Sequence, residues 1–121
     1  VELGSHTVSH PILTTTDDAQ LEAELRGSRA RLEEELRRTV NLFCYPNGAC
    51  DARVRREAER AGYACAVTTV PGLNDRRGAD PLTLRRVAAE TDLPHFVQST
   101  SGFEHLKNRL RGHTPAAVDV Y

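Results

Sequence analysis

No run in these 121 residues stays apolar for the roughly 20 positions that a membrane-crossing helix needs. Charge of one sign is lacking too: 16 lysines and arginines stand against 17 aspartates and glutamates, for a formal net charge of −1. That balance removes the electrostatic case for a nucleic-acid partner or an anionic membrane surface. The arginines alternate with glutamates along helical stretches instead of gathering in a block, the pattern of solvated faces. Apolar residues make up only 39% of the chain, below the usual range, so length and composition support at most one domain with a modest core. The three cysteines, Cys44, Cys50 and Cys65, cannot all pair within one chain and form neither a C-x-x-C nor a zinc-finger spacing. Free thiols buried on strands are the expected state, with Cys44 and Cys65 on neighbouring strands and a disulfide between them the lesser alternative. Internal repeats and low-complexity segments are absent as well.

What the chain does have is a pair of histidines four apart near its start, in Gly4-Ser5-His6-Thr7-Val8-Ser9-His10-Pro11. That spacing can put both imidazoles on one side of a helical turn or tight loop, which is what a divalent metal takes from a single segment. Two unrelated surface histidines on a helix face would give the same spacing, so the pattern alone is a hypothesis. Glu2 and Leu3 read as the end of a strand, Gly4 as the release from it and Pro11 as a stop. The pair is therefore expected on a loop at the carboxyl end of a strand, where α/β folds place their chemistry.

Asp17 followed by Gln20 fits a capping box, and Leu21, Leu25, Leu32 and Leu36 recur on one stripe, predicting an amphipathic helix over about residues 18–38. Gly27 and Ser28 interrupt it and are expected to weaken it. A short buried strand over residues 40–45 ends in Pro46-Asn47-Gly48, a strong turn signal. Asp51 can cap a helix whose apolar face is Val54, Ala58 and Ala61, with Gly62 at its left-handed end. Residues 63–70 then read as the next strand, and this strand-helix-strand run has the lengths of a parallel βαβ unit. Residues 71–81 form a polar loop, Leu82 to Ala88 a further strand, and Asp92 with Pro94 opens a short helix. Ser101-Gly102-Phe103-Glu104 is a second capping box, with Leu106 and Leu110 continuing its stripe to Gly112.

Gly4 to Pro11 resembles the His-box G-(N/S)-H-(S/T)-x-x-H-P of the polysaccharide deacetylases, the NodB-homology group or carbohydrate esterase family 4. Phe43-Cys44-Tyr45-Pro46-Asn47-Gly48, then Ala61-Gly62-Tyr63, Thr68-Thr69 and Gly72-Leu73-Asn74, resembles the strand-loop-helix-strand run of its F-x-Y-P-x-G subgroup. The resemblance covers roughly residues 1–90. It implies an α/β fold, a partial (β/α) barrel of about three to four parallel strands flanked by helices. Residues 1–112 would be the C-terminal portion of a deacetylase domain and residues 113–121 a flexible tail.

The resemblance also implies a reaction: metal-dependent hydrolysis of N-acetyl groups from a polysaccharide containing N-acetylglucosamine, at the cell envelope or outside the cell. It makes His6 and His10 ligands of a divalent metal, most simply Zn2+. It assigns the catalytic loop to Tyr45 and Asn47, the latter giving its backbone N–H to the oxyanion. Where many members carry Arg two residues before that Pro, this chain has Cys44, and Asn47 stands in place of the usual Tyr. The family's Asp-Asp motif, source of the base and the third metal ligand, precedes the His-box. Asp17-Asp18 follows the box and reads as a helix cap. No strand carries the family's late Leu-x-His motif; His95 and His105 read as surface residues and His113 as part of the tail. The chain alone is therefore expected to bind metal weakly, to be inactive, and to self-associate through an exposed sheet edge. The competing expectation is a non-catalytic, degenerate deacetylase-like module acting in binding or assembly, or one that borrows a carboxylate such as Glu2 or Asp17 across a dimer.

Overall fold

The computed structural model describes residues 1–75, 77–87 and 92–102. The expected strand residue Ala88, the second capping box beyond Gly102, Leu106, Leu110, His105, His113 and the 113–121 tail lie outside the described residues.

Among the described residues three parallel strands carry the architecture, in the order β1 (Leu42–Cys44), β2 (Cys65–Pro71) and β3 (Leu84–Arg86). Leu42 pairs with Cys65, Phe43 with Ala66 and Cys44 with Val67, and Val67 in turn pairs with Leu84. The ladder between β2 and β3 shifts register between Val67 and Pro71. Helix α1 (Asp18–Leu36) precedes β1, α2 (Ala52–Arg60) crosses from β1 to β2, and α3 (Leu93–Thr100) follows β3. The predicted βαβ unit is thus present, and the partial α/β barrel with three parallel strands flanked by helices is the fold. A fourth strand is represented by a single bridge: Ser5 pairs in parallel with Phe43, donating its N–H to Leu42 O at 2.8 Å and accepting from Cys44 N at 2.9 Å. Glu2 and Leu3, expected to end a strand, are exposed and unladdered; the pairing starts only where Ser5 reaches β1.

Local sequence explains the ends of the helices. The Asp17 carboxylate accepts from Gln20 N, and that of Asp51 from Val54 N, both at 2.8 Å. Asp92 does the same for His95 N at 3.0 Å, each acid satisfying a donor the helix leaves orphaned. Gly62 follows α2 at φ 87°, the left-handed stop its position predicted. Against that glycine lies the guanidinium of Arg29, which donates to Ala61 O at 2.5 Å and to Val40 O at 3.0 Å. One side chain of α1 so binds both the end of α2 and the approach to β1.

The core lies on one face of the sheet. Phe43 and Ala66 meet Leu21 and Leu25 of α1 and Val54 and Ala58 of α2, with Leu13, Val40, Tyr45, Tyr63 and Leu82 closing the rim. The opposite face, carrying Leu42, Cys44, Cys65 and Val67, is only half-buried. Alternation along the strands produces this division. All three cysteines are free and half-buried. Full burial was expected and is not met, because Cys44 and Cys65 face the uncovered side and Cys50 lies in the loop before α2. Desolvation pushes the Cys50 and Cys65 thiols up from their ordinary values. From α2, Arg55 grips Asp80, ahead of β3, through Nε at 2.6 Å and Nη2 at 3.2 Å, and these bonds hold the Asp80 carboxyl below the usual carboxylate range.

Helix α1 runs unbroken through Gly27 and Ser28. The buried face is Leu21, Glu24, Leu25 and Ser28, with Leu32 and Leu36 only packed against its edge. Gly27 is exposed, and a Cβ added there would sit 3.6 Å from Val8 Cγ2, an ordinary contact. Gly27→Ala is therefore expected to raise stability by about 0.5–1 kcal/mol, the propensity gain of alanine over glycine inside a helix. Denaturant unfolding of the two chains checks it, and a loss of stability would mean that Val8 cannot accept the methyl.

Candidate functional site

At the carboxyl end of the sheet two loops meet, one leaving Ser5 and the other leaving β1. The first carries His6 and His10, both exposed, with ring centroids 4.8 Å apart and planes at 73°. The spacing of four is not helical here. Thr7 at φ 69° and His10 at φ 60° are both in the left-handed region, which non-glycine residues enter at a cost. Hydrogen bonds hold the turn: the Thr7 hydroxyl donates to His6 O and accepts from His10 N at 3.0 Å.

His6 Nδ1 lies 2.6 Å from the carbonyl oxygen of Cys44. A carbonyl only accepts, so this bond places the proton on Nδ1 and leaves Nε2 with its lone pair outward. That is the tautomer a metal-binding imidazole needs, oriented by the bond its other nitrogen makes. The arrangement fits two positions of a divalent-metal site. Among the described residues no third histidine, cysteine, aspartate or glutamate joins them. Asp17 and Asp18 do not: Asp17 caps α1 and Asp18 accepts from Arg53 Nη1 at 2.8 Å. Arg53 also donates to Thr16 O at 2.8 Å and Leu13 O at 3.2 Å, tying the short turn after the histidines (Leu13–Thr15) to α2.

The second loop is Tyr45-Pro46-Asn47-Gly48. Tyr45 continues the ladder, its N–H donating to Val67 O at 3.1 Å. Its side chain turns into the core at 1% exposure, where the hydroxyl donates to Leu82 O at 2.8 Å. Burial pushes that phenol far above its ordinary value, so Tyr45 fixes the loop and offers no mobile proton. Asn47 is exposed and left-handed at φ 54°. The Thr69 hydroxyl donates to its carbonyl at 3.2 Å, and Gly48 N and Ala49 N close the turn on Tyr45 O and Pro46 O. Because Cys44 receives His6 and Asn47 follows three residues later, one strand end registers the histidine pair against the turn. Arg86 Nη1 reaches Cys44 Sγ at 3.8 Å from β3, bringing a cation beside that strand end. Among the described residues His95, on α3, bonds to its own cap, Nδ1 standing 2.7 Å from Asp92 Oδ2, and does not join the pair.

Sequence reading missed the residues that hold the histidine loop. The Glu24 carboxylate accepts from Val8 N at 2.7 Å, from Ser9 N at 2.9 Å and from the Ser9 hydroxyl. Burial raises its carboxyl, but these three bonds outweigh burial and hold it below the ordinary range. Ser5 and Ser28 are buried, and the Ser5 hydroxyl donates to Ser28 Oγ at 2.7 Å. A signal was present: positions 21, 24, 25 and 28 share one helical face, so a glutamate and a serine interrupt an otherwise leucine stripe.

The profile of the polysaccharide deacetylase family matches residues 1–66. The chain belongs to that family. It is 35% identical over 68 residues to chitin deacetylase 1 of Cryptococcus neoformans, covering 56% of this chain and 14% of that one. Among solved structures, a polysaccharide deacetylase from Bacillus cereus superposes at TM-score 0.69 with 30% identity, over 79% of this chain and 30% of that one. The Streptococcus pyogenes deacetylase PplD, solved with acetate, superposes at 0.71 with 25% identity, over 79% and 43%. The chain so spans less than half the length of each of these relatives.

Proposed function

We propose that this chain contributes its loops to the metal-dependent removal of N-acetyl groups from an N-acetylglucosamine polysaccharide of the cell envelope. The observation that supports this is the paired imidazoles of His6 and His10, with His6 turned outward by the Cys44 carbonyl. When bound, a divalent ion such as zinc supplies Lewis acidity toward a water and an amide carbonyl. His6 and His10 would hold it. The Asn47 N–H is the donor offered to the oxyanion that develops on the amide carbonyl oxygen; asparagine serves because the group is backbone. Tyr45 keeps that turn in place through its bond to Leu82 O. No helix among the described residues is long and apolar enough to cross a membrane.

Two imidazoles without a carboxylate make a weak site, so the 121-residue chain should bind zinc weakly and turn over no substrate alone. The same lack of a third donor among the described residues favours a second reading, a non-catalytic deacetylase-like module that binds or assembles. The half-buried outer sheet face, with Leu42 and Val67, supports self-association. Calorimetry with zinc and an acetate-release assay on acetylated chito-oligomers decide between the readings. Zinc binding lost in His6→Ala/His10→Ala, without turnover by the wild type, is expected. Binding unchanged in the double variant would overturn the metal role, and acetate release would overturn the inactivity. Absence of binding in both would leave the non-catalytic reading.

A further inference from the structure

We infer that Glu24 and Ser28 are positioning residues for the two histidines, so that one turn of α1 acts as the template of the metal-binding loop. This rests on the metal role proposed above. The two side chains lie four apart on one helical face, both buried, at 7% and 5% exposure. Ser28 takes the hydroxyl of Ser5, the residue before His6. Glu24 takes the N–H groups of Val8 and Ser9 and the Ser9 hydroxyl, the two residues between the histidines on the side of His10. The loop is thus gripped on both sides of His6 and immediately before His10.

The grip has work to do. Thr7 and His10 both hold left-handed backbone, which costs about 1–3 kcal/mol per residue unless the surroundings impose it. Among the described residues Thr7 supplies the bond across the turn, β1 holds Ser5 and the His6 ring, and the constraint on Val8 and Ser9 comes from α1. Ser28 is itself fixed: its hydroxyl donates to Leu25 O at 3.1 Å and stands 3.3 Å from the Tyr63 hydroxyl, which donates to Leu25 O at 2.9 Å. Val8 lies beside Gly27, between the two grips, at a distance that would admit a methyl group. A polar pair at core positions of a helix is costly unless fully bonded. Here every bond it makes outside the helix, apart from that to Tyr63, is to the loop that carries the histidines.

Glu24→Ala removes three acceptor contacts and leaves Val8 N and Ser9 N without a partner. Glu24→Gln keeps shape: its amide oxygen can accept both N–H groups while its NH2 donates to the Ser9 hydroxyl. On the full chain, zinc calorimetry, thermal melting and the NMR cross-peak between the His6 and His10 rings are recorded for wild type, both variants and Ser28→Ala. The expected result is a loss of about 10- to 100-fold in zinc affinity for Glu24→Ala, recovery of most of it in Glu24→Gln, and loss of the ring cross-peak in Glu24→Ala alone of the pair. Ser28→Ala, a gentler change, should lower affinity while the chain stays folded. Wild-type affinity and an intact cross-peak in a folded Glu24→Ala chain would overturn the inference. If wild type itself binds no zinc, the metal role fails and the cross-peak decides alone: its loss in Glu24→Ala with return in Glu24→Gln upholds the template, and its persistence overturns it.

Discussion

Phe43→Ala is expected to cost about 3–5 kcal/mol of folding stability, the range for deleting a buried phenylalanine. Phe43 is 2% exposed and is the inward residue of β1. Its ring meets Tyr45 edge-on at 5.1 Å and Tyr63 at 4.9 Å, so truncation removes two aromatic contacts along with the apolar surface. Both tyrosines also spend their hydroxyls on carbonyls of the surrounding layer, Tyr45 on Leu82 and Tyr63 on Leu25. Those bonds hold both rings in place and oppose their collapse into a cavity at Phe43. Domains of this size are stable by only about 5–15 kcal/mol, and a core this small leaves little reserve. Denaturant unfolding should show most of the stability gone, with Phe43→Leu retaining a good part of it. A loss under about 1 kcal/mol would show that the site repacks, against the close-packed interior argued for here. The histidine loop should suffer in parallel, because Ser5 pairs with β1 at Phe43.

The second large effect is at Gly48. Its φ of 71° is left-handed, and a Cβ there would lie 2.1 Å from Thr69 Oγ1, 2.5 Å from Thr69 N and 2.8 Å from Thr69 Cβ. Strain at the backbone and overpacking against β2 each cost about 1–3 kcal/mol, so Gly48→Ala should destabilise by about 2–6 kcal/mol. One contact is with backbone, and that decides how the variant can be rescued. Thr69→Gly removes the hydroxyl and the Cβ but leaves the nitrogen in place, so the double variant should recover only part of the loss. Full recovery would mean that the clash is with the side chain alone. The turn should also shift where it matters, since the Asn47 carbonyl that Thr69 holds belongs to the same peptide as Gly48 N.

The regular elements were legible because their causes are local. Asp17, Asp51 and Asp92 cap helices three residues ahead of the N–H they accept, and the βαβ unit follows from a short apolar run, a Pro-Asn-Gly turn and an amphipathic helix ending in Gly62. The histidine pair was legible as a spacing. Its reading as a helical turn was one of two options, and the loop is what the chain adopts, because Ser5 donates to Leu42 O and accepts from Cys44 N on β1, and left-handed Thr7 and His10 then turn the segment. Cysteine burial was misjudged, since which face of a strand is covered depends on what packs there.

Sequence alone determined the helices α1 to α3 and the strands β1 to β3 in their order, though not the strand end expected at Glu2 and Leu3, and marked the two histidines and the Asn47 turn as the residues to watch. Capping, periodicity and turn chemistry act over three or four residues and leave their mark in composition. Tertiary structure alone decided that His6 turns outward on a carbonyl 38 positions away, that Tyr45 gives its hydroxyl to the core, and that Glu24 and Ser28 serve a loop 15 to 23 positions upstream. A hydrogen bond across such separations exists only once burial has brought the helix and the loop together, and burial depends on the whole core rather than on any one stretch of the chain.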